Sequence, residues 1–471
     1  MRINCVYDFI SPYGIIPNGF PLEFIDKLAK YDYDINNSEF VNEFFKERTL
    51  NVKSSLLMYG FRSRDLSTNQ LVLKDGYIVD KSELFFYNIC SSGHISATMS
   101  LRSDSKHPHV LTYISDKIKD LLKKSKNLYI VIEYIMEGQV DINVIDSIYL
   151  HCKFNNIPLN KIIFVTSVFN IDEIHERYCK QTPQTEKIKI ISYNWALPFK
   201  SYELQHKIGQ RDNDLEMFSN SSINTNFING KRPKKALILN RRLRLHRLIL
   251  LSMLIEDGYL NKTLSSFDVS MDSFPDFYDW IDGQYFQNTK RFNDPYYVTK
   301  SKNGYLKLKN IGKQTLDYDN LHDVVGFGFE SSRIYSDTYF SIVTETEFFE
   351  GAHFISEKSI KPIMHQHPFV IVGSPNTLKT LKSYGFKTFD KWWDESYDLI
   401  QNTNDRFIEI YRIIKLLLDK TDDEWVTMIN EMQDVLIHNR NVLLNYSPDK
   451  VDKIVFNNFK EVIFNNKQTL F

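Results

Sequence analysis

The residues best suited to chemistry form two charged clusters, each next to an apolar run. The first cluster follows the run Ala236-Leu-Ile-Leu-Asn240 and contains Arg241, Arg242, Arg244 and Arg247. A helix is predicted from about Leu245 to Glu256, and helix N-termini present unpaired N–H groups to which guanidinium groups add positive charge. The cluster therefore predicts a phosphate site. The alternative is a solvated basic helix start whose arginines pair with acidic neighbours.

The second cluster is Ser356-Glu357-Lys358, between apolar runs at 340–344 and 369–373. A carboxylate can accept both hydroxyls of a ribose, and a lysine can contact a diphosphate as a point charge. Alone, a Ser-Glu-Lys helix start indicates little, because serine is simply a good cap. Together with the upstream arginines, it predicts a sugar-nucleotide site at the carboxyl edge of a parallel sheet.

Two α/β domains are predicted to position these clusters. Between residues 84 and 193, apolar runs alternate with helical periods, which is typical of a parallel sheet covered on both faces. A polar stretch then leads into Gly230-Lys-Arg-Pro233 and marks a linker. We predict an acceptor-side domain at 1–230, a nucleotide-sugar-binding domain at 231–400, and helices at 401–471 that pack back on the domains.

Three segments carry more local predictions. Apolar spacings of three and four predict amphipathic helices at 21–30 and 38–47. Lys74-Asp75-Gly76 predicts a hairpin turn, and Asn303-Gly304 predicts another within 296–309.

Composition excludes several classes of protein. Hydrophobic residues at 42% and charged residues at 25% of the 471 positions indicate folded globular domains. The 58 basic and 59 acidic side chains nearly cancel, so we expect no nucleic-acid partner. No window approaches the ~18 apolar residues of a spanning helix, and no signal peptide is evident. Four scattered cysteines without a C-x-x-C pair suit a reducing cytosol, so a cytoplasmic location is predicted.

The carboxy-terminal half resembles the nucleotide-binding domain of the α-1,3-fucosyltransferase family, which are inverting glycosyltransferases of GT-B architecture, and related viral and bacterial glycosyltransferase-like proteins. The resemblance covers roughly residues 236–415 and rests on motifs kept in order. These are Asn240, Arg247, Glu345 or Glu347, Phe354, Ser356-Glu357-Lys358 and Gly373-Ser374-Pro375. Two features depart from the family pattern. Ser356 replaces a threonine, and the Asn-to-Arg spacing is about one residue longer, with extra arginines.

The resemblance implies two Rossmann-like domains that face a cleft, in a GT-B-like α/β fold with a helical C-terminal segment. It implies inverting, metal-independent transfer of a sugar, with fucose as a candidate, from a nucleotide-sugar donor, with GDP as a candidate nucleotide, to a glycan hydroxyl. Glu357 would bind the ribose, and Lys358 and Arg247 the diphosphate. The full predicted donor site comprises Asn240, Arg241, Arg244, Arg247, Glu345, Glu347, Phe354, Ser356, Glu357 and Lys358.

No metal or other cofactor is expected, because Asp212-Asn-Asp214 and Asp317-Tyr-Asp319 do not follow apolar strands as a metal-binding Asp-x-Asp motif would. Two other functions stay open. One is a retaining GT-B glycosyltransferase that uses another sugar, and the other is a catalytically silent nucleotide-sugar-binding or assembly protein. The oligomeric state is not predicted.

An inverting transferase needs a general base for the acceptor hydroxyl. Glu137 follows the apolar run at 129–135 and precedes Gly138, which would let a substrate approach closely. His94 follows another apolar run and is the second candidate. The alternative for Glu137 is a hydrogen-bonded structural carboxylate.

Overall fold

The computed structural model divides into two compact units, which are described separately. The first holds the described residues up to 194, and the second spans Ala196–Tyr446. The structure describes residues 3–7, 68–72, 84–90, 109–114, 116–134, 138, 140–194, 196–197, 200–201, 230–240, 244–269, 294–316, 332–348 and 351–446. The predicted boundary near residue 230 stays a prediction, because residues 202–229 lie outside this part of the chain.

The first unit contains a six-stranded parallel sheet in the order β2-β1-β3-β4-β5-β6. Its strands are β1 (Ile3–Tyr7), β2 (Thr68–Val72), β3 (Leu84–Cys90), β4 (Leu128–Tyr134), β5 (Ile162–Thr166) and β6 (Lys189–Ser192). Its helices are α1 (Asp116–Lys124), α2 (Ile142–Phe154) and α3 (Ile171–Gln181). Every residue of β5 is buried, as expected for an interior strand of a parallel sheet. The predicted alternation of strands and helices is confirmed.

The second unit contains a four-stranded parallel sheet in the order β10-β9-β7-β8. Its strands are β7 (Lys234–Asn240), β8 (Thr263–Phe267), β9 (Thr338–Thr344) and β10 (Phe369–Val372). Its helices are α4 (Leu245–Glu256), α5 (Pro295–Ile311), α6 (Ser332–Ser336), α7 (Glu357–Met364), α8 (Thr377–Ser383), α9 (Thr403–Asp419) and α10 (Asp422–Leu444). The chain runs from β7 outward to β8 and then crosses back to β9. The strand order therefore reverses between β7 and β9, which is where open α/β sheets bind ligands.

Helix α4 is held by packing along its length. Its residues from Leu245 to Leu254 are all buried, and α5 packs against it. A Cβ atom at Gly304 in α5 would lie 1.8 Å from the backbone oxygen of Ser252 in α4. The predicted hairpin around Asn303-Gly304 is therefore wrong. This glycine permits a close helix crossing instead of a turn, while Asp294 and Pro295 begin a continuous helix.

The helices α9 and α10 belong to the second unit, and α10 packs against its sheet. Trp425 of α10 is fully buried and stacks on Tyr339 and Phe340 of β9, at centroid distances of 5.6 Å and 5.0 Å. Its indole Nε1 donates to the carbonyl of Leu417 in α9 at 3.0 Å. None of the helices in the described residues is long and apolar enough to cross a membrane. The predicted helices at 21–30 and 38–47 and the hairpin at Lys74-Asp75-Gly76 lie outside the described residues.

Candidate functional site

The ends of β7 and β9 bring Asn240 and Thr344 together at the switch point of the second sheet. Asn240 is fully buried, and its Oδ1 accepts a hydrogen bond from Thr344 Oγ1. The other amide atom, Nδ2, is also buried and has no acceptor among the described residues. Buried donors in native proteins are nearly always satisfied. An acceptor on a ligand at this edge would satisfy this one.

Helix α4 begins at Leu245, shortly after Asn240 in the sequence. Its N-cap residue, Arg244, provides no side-chain cap, and its first turn carries no acidic residue. The N–H groups of an uncapped first turn attract anions through the helix dipole. Arg244 itself extends to Glu347, with Nη1 3.1 Å from Oε1, and both side chains are partly exposed.

Arg247 joins the first turn of α4 to the end of β9. Its Nη2 donates to the carbonyls of Thr344 at 3.2 Å and Glu345 at 2.9 Å, and the residue is 3% exposed. Burial, with the neighbouring charge of Arg244, lowers the pKa of the Arg247 guanidinium to about 10. The guanidinium therefore stays charged at neutral pH.

His246 is a buried neighbour of Arg247 that no sequence motif predicts as a site residue. Its Nε2 donates to the carbonyl of Glu345 at 2.9 Å, and its ring stacks on Phe348 at 5.4 Å. Burial, together with the charge of Arg247, holds the pKa of His246 well below its usual value. The imidazole is therefore neutral and supports the end of β9. Only its position next to Arg247 marks it in the sequence.

Glu345 was predicted to bind the donor nucleotide, and the structure places its buried carboxylate among internal donors. Oε2 accepts from Ser356 Oγ at 2.6 Å and from the amide of Thr346 at 3.0 Å. Oε1 accepts from Ser359 Oγ at 2.5 Å and from the amide of Ser356 at 3.1 Å. These contacts hold the start of α7 against the end of β9. Glu345 thus positions Ser356 and the two residues that follow it.

Glu357 and Lys358 form an ion pair at that helix start. Lys358 Nζ lies 2.9 Å from Glu357 Oε1 and 3.3 Å from Thr346 Oγ1. Burial acts to raise the pKa of Glu357, but Lys358 and Lys361 outweigh it and lower the pKa to about 2. The carboxylate is therefore ionised and acts only as an acceptor. The Lys358 side chain is 27% exposed.

Other predicted site residues have different surroundings. Phe354 is 1% exposed and lies in the core. Ser374 follows β10, and its Oγ donates to the carbonyl of Ala352 at 3.1 Å. Arg241, Glu137 and His94 lie outside the described residues, so their predicted roles stay predictions. In the part of the chain that the structure describes, no group of three or more His, Cys, Asp or Glu side chains could hold a metal ion.

The helix that follows β10 is already capped from within the protein. The carboxylate of Asp398 accepts from the amides of Leu378 at 2.8 Å and Lys379 at 3.0 Å in the first turn of α8. Ser356 and Glu357 supply a cap and a negative charge to α7 in the same way. Among the described helices that follow β7, β9 and β10, α4 therefore has the N-terminus best suited to an external anion.

Arg406 of α9 forms hydrogen bonds with the segments that follow β9 and β10. No sequence motif predicts this role. It is 1% exposed and donates to the carbonyls of Phe348 and Gly373, the latter at 3.3 Å from Nε. Its guanidinium also lies 4.7 Å from the centroid of the Phe348 ring. An arginine in an amphipathic helix gives no sequence signal of such burial, because its partners are distant carbonyls.

No family model matches the sequence, and no curated protein matches it significantly. Several solved structures resemble it loosely. The N-terminal domain of a Candida albicans trehalose-6-phosphate phosphatase is 9% identical, with a TM-score of 0.43, over 97% of this chain and 96% of that chain. A UDP-forming α,α-trehalose-phosphate synthase from Burkholderia vietnamiensis is 10% identical, with a TM-score of 0.40, over 82% and 73%. A glycosyltransferase from Rickettsia africae is 13% identical, with a TM-score of 0.36, over 99% of both chains.

Proposed function

We propose that this chain is a glycosyltransferase that binds a nucleotide-sugar donor at the carboxyl edge of the second sheet and transfers the sugar to a glycan hydroxyl. One observation carries the proposal. At the β7–β9 switch point, a strand ends in the buried Asn240, whose Nδ2 has no acceptor among the described residues, and the next described helix begins uncapped. This combination favours a ligand that brings both negative charge and hydrogen-bond acceptors.

The cations around α4 and α7 suit the diphosphate of such a donor. Arg244 and Arg247 lie at the start of α4, and the Lys358 side chain is partly exposed. When the bond from the sugar to the diphosphate breaks, negative charge grows on the departing oxygens, and preorganised cations stabilise it. Arginine and lysine then perform the task that a metal ion performs in other transferases. The proposed reaction is therefore metal-independent.

The ionised carboxylate of Glu357 suits the ribose. With a pKa of about 2, it is an acceptor only, and two ribose hydroxyls can donate to it. Lys358, the next residue, then contacts the diphosphate. The ribose and the diphosphate are therefore both bound at the start of α7. The buried carboxylate of Glu345 fixes that helix start, as described above.

The remaining details are proposals that the family resemblance suggests. The acceptor hydroxyl attacks the anomeric carbon in one displacement and inverts it, with Glu137 or His94 as the general base. Fucose is the candidate sugar, GDP the candidate nucleotide, and the cytoplasm the proposed location.

Calorimetric titration with GDP and UDP tests the donor site. We expect one of them to bind, and we expect Lys358→Met to weaken that binding about tenfold, which corresponds to ~1.4 kcal/mol. Lys262→Met is the matched control. It removes the same charge from a 39% exposed side chain that precedes β8 and pairs with Asp419. If neither nucleotide binds, or if both variants bind like the wild type, the proposal is wrong.

Nucleotide release separates an enzyme from a silent binder. The protein is incubated with a panel of sugar nucleotides in the presence of a chelator, with and without glycan acceptors. We expect release of nucleoside diphosphate from one donor, and a product with inverted anomeric configuration. Retained configuration would identify a retaining transferase. No release from any donor would instead favour a binding or assembly protein.

A further inference from the structure

The Arg244–Glu347 ion pair engages the guanidinium of the N-cap residue of α4. Arg244 is the N-cap residue, and its Nη1 lies 3.1 Å from Glu347 Oε1. Glu347 comes shortly after β9, and its backbone carbonyl accepts from Ser374 Oγ at 3.3 Å, which anchors it to the segment after β10. An internal carboxylate thus pairs with a cation at the place where the proposed diphosphate binds.

The pair also offsets the repulsion between two neighbouring arginines. Arg244 and Arg247 are three residues apart at the same helix start. Burial, followed by the charge of Arg244, lowers the pKa of Arg247, while Glu345, Glu357 and Glu347 act to raise it. The carboxylates therefore offset the mutual repulsion of the two arginines. Of these three, Glu347 is the one that pairs with Arg244.

We propose that Glu347 is a placeholder for the diphosphate. Its carboxylate holds Arg244 while the site is empty, releases it to the incoming diphosphate, and pairs with it again when the nucleoside diphosphate leaves. This inference rests on the proposed function and concerns the regulation of the same site.

Energetics favour this exchange. Arg244 and Glu347 are 30% and 19% exposed, and one hydrogen bond joins them. A partly exposed ion pair of this kind contributes little to stability, because water screens both charges. A diphosphate carries more charge and can accept two parallel bonds from one guanidinium, which makes it the stronger partner. The diphosphate therefore displaces Glu347 from Arg244 on binding. When the pair forms again, it favours dissociation of the nucleoside diphosphate.

Removing the charge of Glu347 is expected to change ligand affinity in opposite directions in the placeholder role and in a ligand-binding role. If Glu347 competes with the diphosphate, removing its charge tightens anion binding. If Glu347 instead accepts a hydroxyl or base N–H of the nucleotide, removing its charge weakens nucleotide binding and leaves an anion without a nucleoside unaffected. Inorganic pyrophosphate, which lacks the nucleoside, separates the two roles.

The experiment is calorimetric titration of the wild type and Glu347→Gln with inorganic pyrophosphate and with GDP and UDP. We expect the variant to bind pyrophosphate and the preferred nucleotide about three- to fivefold more tightly. Glu256→Gln is the matched control, because Glu256 lies at the other end of α4 and pairs with Lys307 at 2.7 Å. It removes the same charge roughly 17 Å along the helix, so we expect unchanged affinities.

A double-mutant cycle with Arg244→Ala and Glu347→Gln measures how far the effect of Glu347 on pyrophosphate affinity depends on Arg244. An Arg244→Ala background lacks the Arg244–Glu347 pair, so Glu347→Gln is expected to change pyrophosphate affinity less than twofold there. Thermal unfolding of each variant confirms that the fold is retained.

Failures of the two proposals are distinguishable. If the wild type binds a nucleoside diphosphate and Glu347→Gln binds pyrophosphate no more tightly than the wild type, the placeholder role is wrong and the donor site stands. Weaker nucleotide binding with unchanged pyrophosphate binding would assign Glu347 to the nucleoside. If the wild type binds neither pyrophosphate nor any nucleotide, the proposed function and this inference are both wrong.

Discussion

Helices α3 and α4 begin in comparable places, one in each unit, and differ in their charges. Each is the next described helix after a buried parallel strand, β5 or β7, and neither N-cap side chain caps its helix. The first turn of α3 carries Asp172 and Glu173, whereas that of α4 carries no acidic residue and is flanked by arginines. In α3 the helix dipole is matched by the chain's own carboxylates. The first turn of α4 has no such carboxylate, so the two helix starts differ in charge although each follows a parallel strand.

Two buried carboxylates extend the comparison. Burial, with Glu176 and Glu173 nearby, raises the pKa of Asp172 to about 6. Glu357 is buried to a similar degree, yet Lys358 and Lys361 lower its pKa to about 2. A carboxylate at a helix start is therefore a dependable acceptor only where cations surround it. The second unit provides those cations.

The largest expected effect concerns the packing that holds α4 in place without a cap. Gly304→Ala would put a Cβ atom 1.8 Å from the Ser252 oxygen, so α4 and α5 must separate. We expect a loss of about 3 kcal/mol in the free energy of unfolding, measured by urea denaturation. The exposed neighbour provides the control, because Asn303→Ala is expected to change stability by less than about 0.5 kcal/mol. Equal stability of the two variants would show that packing at Gly304 does not hold α4.

The next effect tests the charge state of Glu357. Its lowered pKa stabilises the folded state fully above its ordinary value of 4.5, and this stabilisation is lost as the pH falls toward 2. We expect Glu357→Gln to be less stable than the wild type at pH 7 by about 2 kcal/mol, with a difference that shrinks toward pH 2. Denaturation at a series of pH values measures it. A difference that stays constant with pH would contradict the lowered pKa.

The smallest effect has the opposite sign and lies in the first unit. The pKa of Asp172 is raised, so its protonated form stabilises the folded state, and this contribution is lost as the pH rises from about 3.8 to about 6. We expect Asp172→Asn to be more stable than the wild type at pH 7.5 and nearly equal at pH 4. Nucleotide affinity should not change. Glu173→Gln, at the exposed neighbouring residue, should change stability less. Weakened nucleotide binding by Asp172→Asn would break the comparison between the two helix starts.

Much of the second unit was predictable because its strands are short apolar runs followed by polar punctuation. The runs at 236–240, 340–344 and 369–373 match β7, β9 and β10 to within two residues. Ser356 caps α7 as its residue type predicts. Helix α5 was not predictable from the Asn303-Gly304 pair, because a glycine at a helix crossing and a glycine in a turn look the same in sequence.

The sequence by itself determined the alternation of strands and helices, the charges at the helix starts and the order of the site motifs, because these depend on local periodicity and residue type. Only the tertiary structure decided which of these charged groups have hydrogen-bond partners within the protein. The carboxylate of Glu345 accepts hydrogen bonds from serines 11 and 14 residues away. Asp398 caps a helix start that lies 20 residues before it in the sequence. Hydrogen bonds over such distances follow from chain folding and leave no local pattern. The folded chain therefore turns several similar carboxylates into a positioning group, a cap and a candidate ribose acceptor.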